Sequence, residues 1–394
     1  MSWAHVCKTK MYRSGTLFLG AALWAAVGCQ KPTSDPPVEP AVDAEKAEEV
    51  AKEVEKKPEQ KPETAKAEAE EKAVTQLIIK DVGFKTPESV YYDEKSDLYL
   101  VSNINGSPTE TDNNGFISKV SPEGKVIALT WIAGGQNDVT LNAPKGMVVK
   151  DDVLYVTDIT TIRMFDMASG ASKGEIAIEK ATFLNDLTKG EDGTIYVSDS
   201  GLKSEGEGLI STGTDAIYTI KENKAEKLIA SKELNAPNGL WADEGGLWVV
   251  THSGTELYRV TADGKKETPV TIPGGGLDGL VKTRDGDLLI SSWQAKTIFQ
   301  GLPKGGFNPL LAGITSPADI GYDSKRHRVL VPVFLGDAVQ IQDLQTATAL
   351  RSDAPEPEVA AEKAEADEKA AEVDAEEKPE EAKAEEKPAK KATP

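Results

Sequence analysis

The chain has 394 residues and a formal net charge of −20, with 28% charged and only 6% aromatic residues. Such an acidic balance argues against nucleic acid as a partner and against electrostatic docking on anionic lipid; it favours solubility. The two cysteines, Cys7 and Cys29, both lie near the N-terminus, which excludes a disulfide framework for the rest of the chain.

Residues 1–28 have the layout of a secretory signal. Lys8, Lys10 and Arg13 precede an uncharged apolar run at 14–27, shorter than the ~20 residues a membrane-spanning helix needs. The run ends Ala26-Val27-Gly28-Cys29, which resembles a bacterial lipobox with cleavage before Cys29 and lipidation of Cys29. Gln30, in place of Asp, resembles outer-membrane sorting, so the expected location is the cell envelope, lipid-anchored, facing the periplasm or the surface. Residues 29–73 then form a Glu/Lys/Ala/Pro linker, and residues 351–394 repeat the same chemistry as an acidic tail. From 30 to 72 and from 352 to 394 no aromatic occurs and no apolar side chain exceeds Val, so neither segment is expected to order itself.

Between them, residues 74–350 repeat one unit six times. The first strands open at Pro87-Glu88-Ser89-Val90, Pro144-Lys145-Gly146-Met147, Leu184-Asn185-Asp186-Leu187, Pro237-Asn238-Gly239-Leu240, Leu277-Asp278-Gly279-Leu280 and Pro317-Ala318-Asp319-Ile320. Second strands, rich in Val, Tyr, Leu and Trp, end at Asn103, Asp158, Asp199, His252, Trp293 and Phe334. The second residues of the tetrads are 57, 40, 53, 40 and 40 residues apart. A period near forty residues, built of short strands with period-two alternation, predicts four-stranded propeller blades. The long intervals predict insertions at 104–115 and 200–215 on one face. The fold class is therefore all-β, a six-bladed β-propeller flanked by disordered acidic tails. The sixth unit holds only about three strands, so residues 74–80 are expected to supply its outer strand and close the ring.

Innermost strands of a propeller all start at the same end of its channel. Glu88, Lys145, Asn185, Asn238, Asp278 and Ala318 should therefore face one another. Any one of these residues is ordinary turn or strand-end chemistry; four oxygen ligands at one repeat position point to a hard cation such as Ca²⁺. The lack of His and Cys disfavours zinc and copper. Lys145 either pairs with Glu88 or Asp278 or points away, and in the channel it would weaken the metal reading.

These motifs, in this order, resemble the senescence-marker protein/gluconolactonase family of regucalcin-like six-bladed propellers, and the related squid-type diisopropyl fluorophosphatase architecture. The resemblance covers the whole core. It implies one divalent cation at the top of the channel, held by Glu88, Asn238 and Asp278, with Asn185-Asp186 matching the family's blade-three Asn-Asp pair, whose Asn contacts substrate or metal-bound water. Sugar-lactonase members carry an Arg two residues before that Asn. Here it is Phe183, which cannot hydrogen-bond a sugar hydroxyl, so a more apolar lactone or ester is expected.

Further candidates at the ends of second strands are Asp158, Asp199, His252 and Trp293. No Gly-x-Ser-x-Gly elbow and no core cysteine occur, which disfavours covalent catalysis. The expected function is a metal-dependent hydrolase of lactone- or ester-like small molecules. Asp278 would be general base and metal ligand, Asn185 would orient the substrate, and Glu88 and Asn238 would hold the cation. The chain is expected to be monomeric, with a small-molecule substrate. The alternative is a non-catalytic propeller that binds a ligand or protein, with a structural metal or none.

Overall fold

Alternation in the second strands decides what each blade packs against. In Leu98–Asn103, Tyr99 and Val101 pack toward the last blade, and Leu100 between them packs toward the second. In Ile195–Asp199, Ile195 and Val197 turn toward one neighbour and Tyr196 toward the other. A strand buried on both faces in this way needs large apolar side chains at nearly every position. Outermost strands such as Ser172–Ala177 and Lys224–Ala230 are mostly exposed.

The computed structural model describes residues 76–206 and 208–344. Its first strand, β1 (Gln76–Ile79), belongs to the last blade. Blade one is β2 (Pro87–Asp93), β3 (Leu98–Asn103), β4 (Phe116–Val120) and β5 (Val126–Ala133). Blade two is β6 (Pro144–Lys150), β7 (Val153–Asp158), β8 (Thr161–Asp166) and β9 (Ser172–Ala177). Blade three is β10 (Leu184–Lys189), β11 (Ile195–Asp199), β14 (Ala216–Lys221) and β15 (Lys224–Ala230), with the hairpin β12 (Leu202–Glu205) and β13 (Gly208–Ser211) between its second and third strands. Blade four is β16 (Pro237–Asp243), β17 (Gly246–Thr251), β18 (Glu256–Thr261) and β19 (Val270–Thr271). Blade five is β20 (Leu277–Lys282), β21 (Leu288–Ser292), β22 (Thr297–Leu302) and β23 (Gly305–Ala312). Blade six is β24 (Gly321–Asp323), β25 (Arg328–Val333) and β26 (Ala338–Asp343), completed by β1. All pairings within the blades are antiparallel, and β1 pairs β26 with Gln76 opposite Gln342 and Ile79 opposite Val339. The expected six-bladed propeller and its closing strand are both present. The signal peptide at 1–28, Cys29 with its linker to 73, and the tail at 351–394 lie outside the described residues.

Six apolar clusters occupy the six interfaces between neighbouring blades. The core is thus a ring of wedges around a channel lined by the innermost strands. A polar clamp adds to the closing interface. Arg326 donates to Asp97 at 2.7 Å and to Asp323 at 3.1 Å, and Tyr99 donates to Asp323 at 2.6 Å, tying blade six to blade one.

Candidate functional site at the channel mouth

The innermost strands of blades one to five begin with a bulge. Pairing slips between Pro87 and Val90, Pro144 and Met147, Leu184 and Leu187, Pro237 and Leu240, and Leu277 and Leu280. A bulge inserts an extra residue and re-aims side chains. Here the two bulged residues of these blades, with Ala318 and Asp319 of blade six, make two successive rings along the channel. The first is Glu88, Lys145, Asn185, Asn238, Asp278 and Ala318, as expected from the repeat. The second is Ser89, Gly146, Asp186, Gly239, Gly279 and Asp319. Blades approach so closely there that a Cβ on Gly239 would lie 2.2 Å from the Asp278 carbonyl oxygen, and one on Gly279 2.2 Å from the Ile320 nitrogen. Hydroxyls at the ends of second strands pin the bulges: Ser102, Ser198 and Ser291 accept from the backbone N–H of Ser89, Asp186 and Gly279.

The first ring brings Asn238 and Asp278 into direct contact. Asn238 Nδ2 donates to Asp278 Oδ1 at 3.1 Å, and Trp293 Nε1 donates to Asp278 Oδ2 at 2.6 Å. Asn185 Nδ2 donates to Ser200 Oγ at 3.1 Å, and the Ser200 hydroxyl donates to the Pro237 carbonyl at 2.7 Å. Glu88 Oε2 and Asn238 Oδ1 are buried oxygens with no hydrogen-bond partner. Burial, followed by the negative charges of Asp278 and Asp319, holds the Glu88 carboxyl well above the usual carboxylate range. Burial and the charge of Asp319 push Asp278 up to about 7, against the pull of the Trp293 and Asn238 donors.

Lys145 faces Ala143 and Phe183. It is buried, donates to the Ala143 carbonyl at 3.1 Å, and sits 4.5 Å over the Phe183 ring. No ion pair joins it to Glu88 or Asp278 among the described residues. Desolvation pulls its ammonium down to about 8, and the Glu88 and Asp158 charges oppose that fall. Phe183 itself is buried with Leu202, Ala236 and Leu209, so it anchors the β12–β13 hairpin beside the mouth.

Several expected mouth residues sit elsewhere. Asp199 is fully buried and accepts from the backbone N–H of Thr182, Phe183 and Gly201; Asp158 does the same for Asn142 and Ala143. Both fold the loops that lead into the next blade, because those loop amides have no strand partner and need an acceptor. Asp186 lies in the second ring, accepting from Leu187 N–H and Leu240 N–H. Among the described residues, no set of three or more His, Cys, Asp or Glu side chains is spaced to hold a metal ion. A cation here would need the Asn185 and Asn238 amide oxygens beside the carboxylates.

His252 and Trp293 belong to a further repeat that the sequence reading captured only in part. The residue after each second strand is Ile104, Ile159, Ser200, His252, Trp293 or Phe334. Five of these donate their backbone N–H to a carbonyl of the loop before a first strand, as in Ile104 to Thr86, His252 to Ala236 and Phe334 to Ser316. Ile104, Ile159, Phe334 and Trp293 form one apolar cluster with Ala143 and Ala318, and the Trp293 and Phe334 rings lie 5.2 Å apart. His252 is half-buried, with an unpartnered Nδ1 and an imidazole that burial keeps below its usual pKa. Asp319, in the second ring, was also missed as a functional candidate. Both omissions had a signal in the repeat position and none in residue type, since Ile, Phe and a turn Asp are unremarkable alone. The insertions meet as well, with Thr109 Oγ1 and Ser204 Oγ 2.5 Å apart.

Fold and channel together define a six-bladed β-propeller whose mouth joins oxygen donors to an apolar wall. No protein-family model matches the chain, and no curated protein matches its sequence at a significant level. Its fold is similar to that of a gluconolactonase from Xanthomonas campestris, at 16% identity and a TM-score of 0.52, covering 68% of this chain and 88% of that one. A structural-genomics target described as a gluconolactonase gives 17% identity and a TM-score of 0.50, covering 68% and 91%. A streptogramin B lyase gives 14% identity and a TM-score of 0.47, covering 68% and 96%. The first two likenesses establish the propeller fold.

Proposed function

We propose that this protein is a metal-dependent hydrolase of lactone- or ester-like small molecules, working at the channel mouth. The observation that carries the reading is the pair of buried, unpartnered oxygens, Glu88 Oε2 and Asn238 Oδ1, beside a carboxylate fixed by Trp293. Buried polar atoms are normally satisfied, and hard oxygen donors of this kind suit Ca²⁺. Glu88, Asn185, Asn238 and Asp278 would hold the cation. When bound, it would polarise a substrate carbonyl as a Lewis acid. Asp278, oriented by two donors, takes a proton from water as general base. Asn185, fixed by Ser200, keeps its carbonyl oxygen free to position the substrate. Ile104, Ile159, Trp293 and Phe334 receive an apolar acyl or alkyl part, and Phe183 withholds the donor a polyhydroxylated lactone would need. Gluconolactonases share the fold, which is compatible with this chemistry and does not choose the substrate. In the same reading, lipidated Cys29 would hold the enzyme in the cell envelope.

The test is elemental analysis of the purified protein, followed by a panel of lactones and aryl esters with and without chelator. Turnover should require the metal. Asp278→Asn keeps the shape and removes the proton acceptor, so kcat should fall by roughly 10²–10⁴-fold. Bound metal with no turnover of any panel member, or an unimpaired Asp278→Asn, would leave a binding propeller as the better reading.

A further inference from the structure

A second cavity lies apart from that mouth. It has a volume of about 690 Å³ and opens at the opposite end of the channel, where the innermost strands finish. Its floor is the second ring, with Ser89, Asp186 and Asp319, and its walls include Tyr91, Trp241 and Tyr322. Glu88, Asn185, Asn238 and Asp278 do not line it, so the two rings separate it from the proposed hydrolase site.

Three polar groups of this vestibule have no protein partner among the described residues. Asp319 is 6% exposed, and its Oδ2 accepts from Ser89 Oγ at 2.5 Å while its Oδ1 accepts nothing. The Thr188 hydroxyl is likewise unspent, and Trp241 Nε1 is buried without an acceptor. By contrast, both Asp186 oxygens are occupied, by Leu187 N–H at 2.6 Å and Leu240 N–H at 2.7 Å. The positive charges at the rim are mostly committed. Lys95 pairs with Asp152 at 2.5 Å and Lys189 donates to the Val149 carbonyl at 3.1 Å.

We infer that this vestibule is a second binding site, for a small organic ammonium ion. Two buried acids at the floor repel anions, and a neutral ligand could donate to Asp319 Oδ1 but would leave the carboxylate charge uncompensated. A divalent ion needs six or more oxygens, and three of the four carboxylate oxygens here already accept hydrogen bonds. A primary ammonium needs only one good carboxylate plus a hydroxyl, and aromatic walls attract a cation through their π faces. The volume lies within the range of small-molecule sites. The wall is largely apolar beyond the floor, with Leu187, Val281 and Ile320, so the cation should carry an apolar body.

Calorimetric titration of the full chain with phenethylammonium chloride tests this directly. Saturable binding is expected, with 2-phenylethanol binding at least about tenfold more weakly because it lacks the charge. Asp319→Asn should weaken the amine by about tenfold or more. Thr188→Lys should do the same by placing its own ammonium at the floor, and it keeps the test open if Asp319→Asn does not fold. Trp293→Phe, at the far mouth, should leave amine affinity unchanged, whatever it does to ester turnover. Equal binding of amine and alcohol, binding of Ca²⁺ at this ring without amine binding, or full affinity in Thr188→Lys would each overturn the assignment.

Discussion

Glu88, Asp186, Asp278 and Asp319 are all buried in two adjacent rings, and each has a carboxyl held above its ordinary range, first by desolvation and, for all but Asp319, also by the other acids. For Asp278 and Asp319 the folded value is about 7. Folding therefore favours their protonated forms. That stabilisation is fully present below the unfolded carboxylate value near 4 and is lost as the pH rises through about 7. In chelator, the melting temperature should fall by several degrees between about pH 5 and pH 8, and Asp319→Asn should flatten the fall. Added Ca²⁺ should raise the melting temperature more at the upper pH, where the carboxylates are charged and the cation has most to neutralise. A melting temperature that stays level across this range in chelator would mean the rings are not desolvated as described.

The closing element is β1, and it works through both hydrogen bonds and packing. Its Ile79 joins Val339, Ile341 and Leu330 in the cluster between blades six and one. Deleting Gln76–Ile79 should uncover the β26 edge and lower the melting temperature by about 10 °C or more. At the same interface the Asp323 side chain is fully buried and faces the Arg326 guanidinium. Arg326→Met should cost about 2–3 kcal/mol in chemical denaturation, because Asp323 is left buried with only Tyr99 and a backbone N–H. Lys95→Ala removes a pair exposed on both sides and should change stability by less than about 0.5 kcal/mol. Equal effects of the two substitutions would show that the clamp contributes no more than an ordinary surface pair.

At the scale of the whole molecule, the propeller is expected to fold without its flanks. Residues 30–73 and 352–394 contain neither an aromatic nor an apolar side chain larger than Val. Trimming both should shift the melting temperature by less than about 5 °C. A larger drop would mean that a flank packs on the propeller. The lipobox-like Ala26-Val27-Gly28-Cys29 predicts a separate outcome in the cell. Cys29→Ser should move the protein out of the membrane fraction or trap its uncleaved precursor, and unchanged fractionation would remove the anchor from the reading.

Six recurrences of a tetrad, with strands of period two, were enough by themselves to determine a six-bladed propeller and the first ring of the channel. Repeat position is a local quantity, and symmetry turns it into a place around an axis. The closing strand was legible for the same reason, since the sixth unit was one strand short. Direction and depth were not legible. Only the packed blades show that Asp199 and Asp158 spend their oxygens on loop amides, that Lys145 turns to Ala143 and Phe183, and that Asp186 and Asp319 lie one ring deeper than Asn185 and Ala318. The apolar mouth of Ile104, Ile159, Trp293 and Phe334 likewise joins residues from four blades. Such contacts depend on the bulge geometry and the close approach of neighbouring blades, which the chain acquires only when the ring closes.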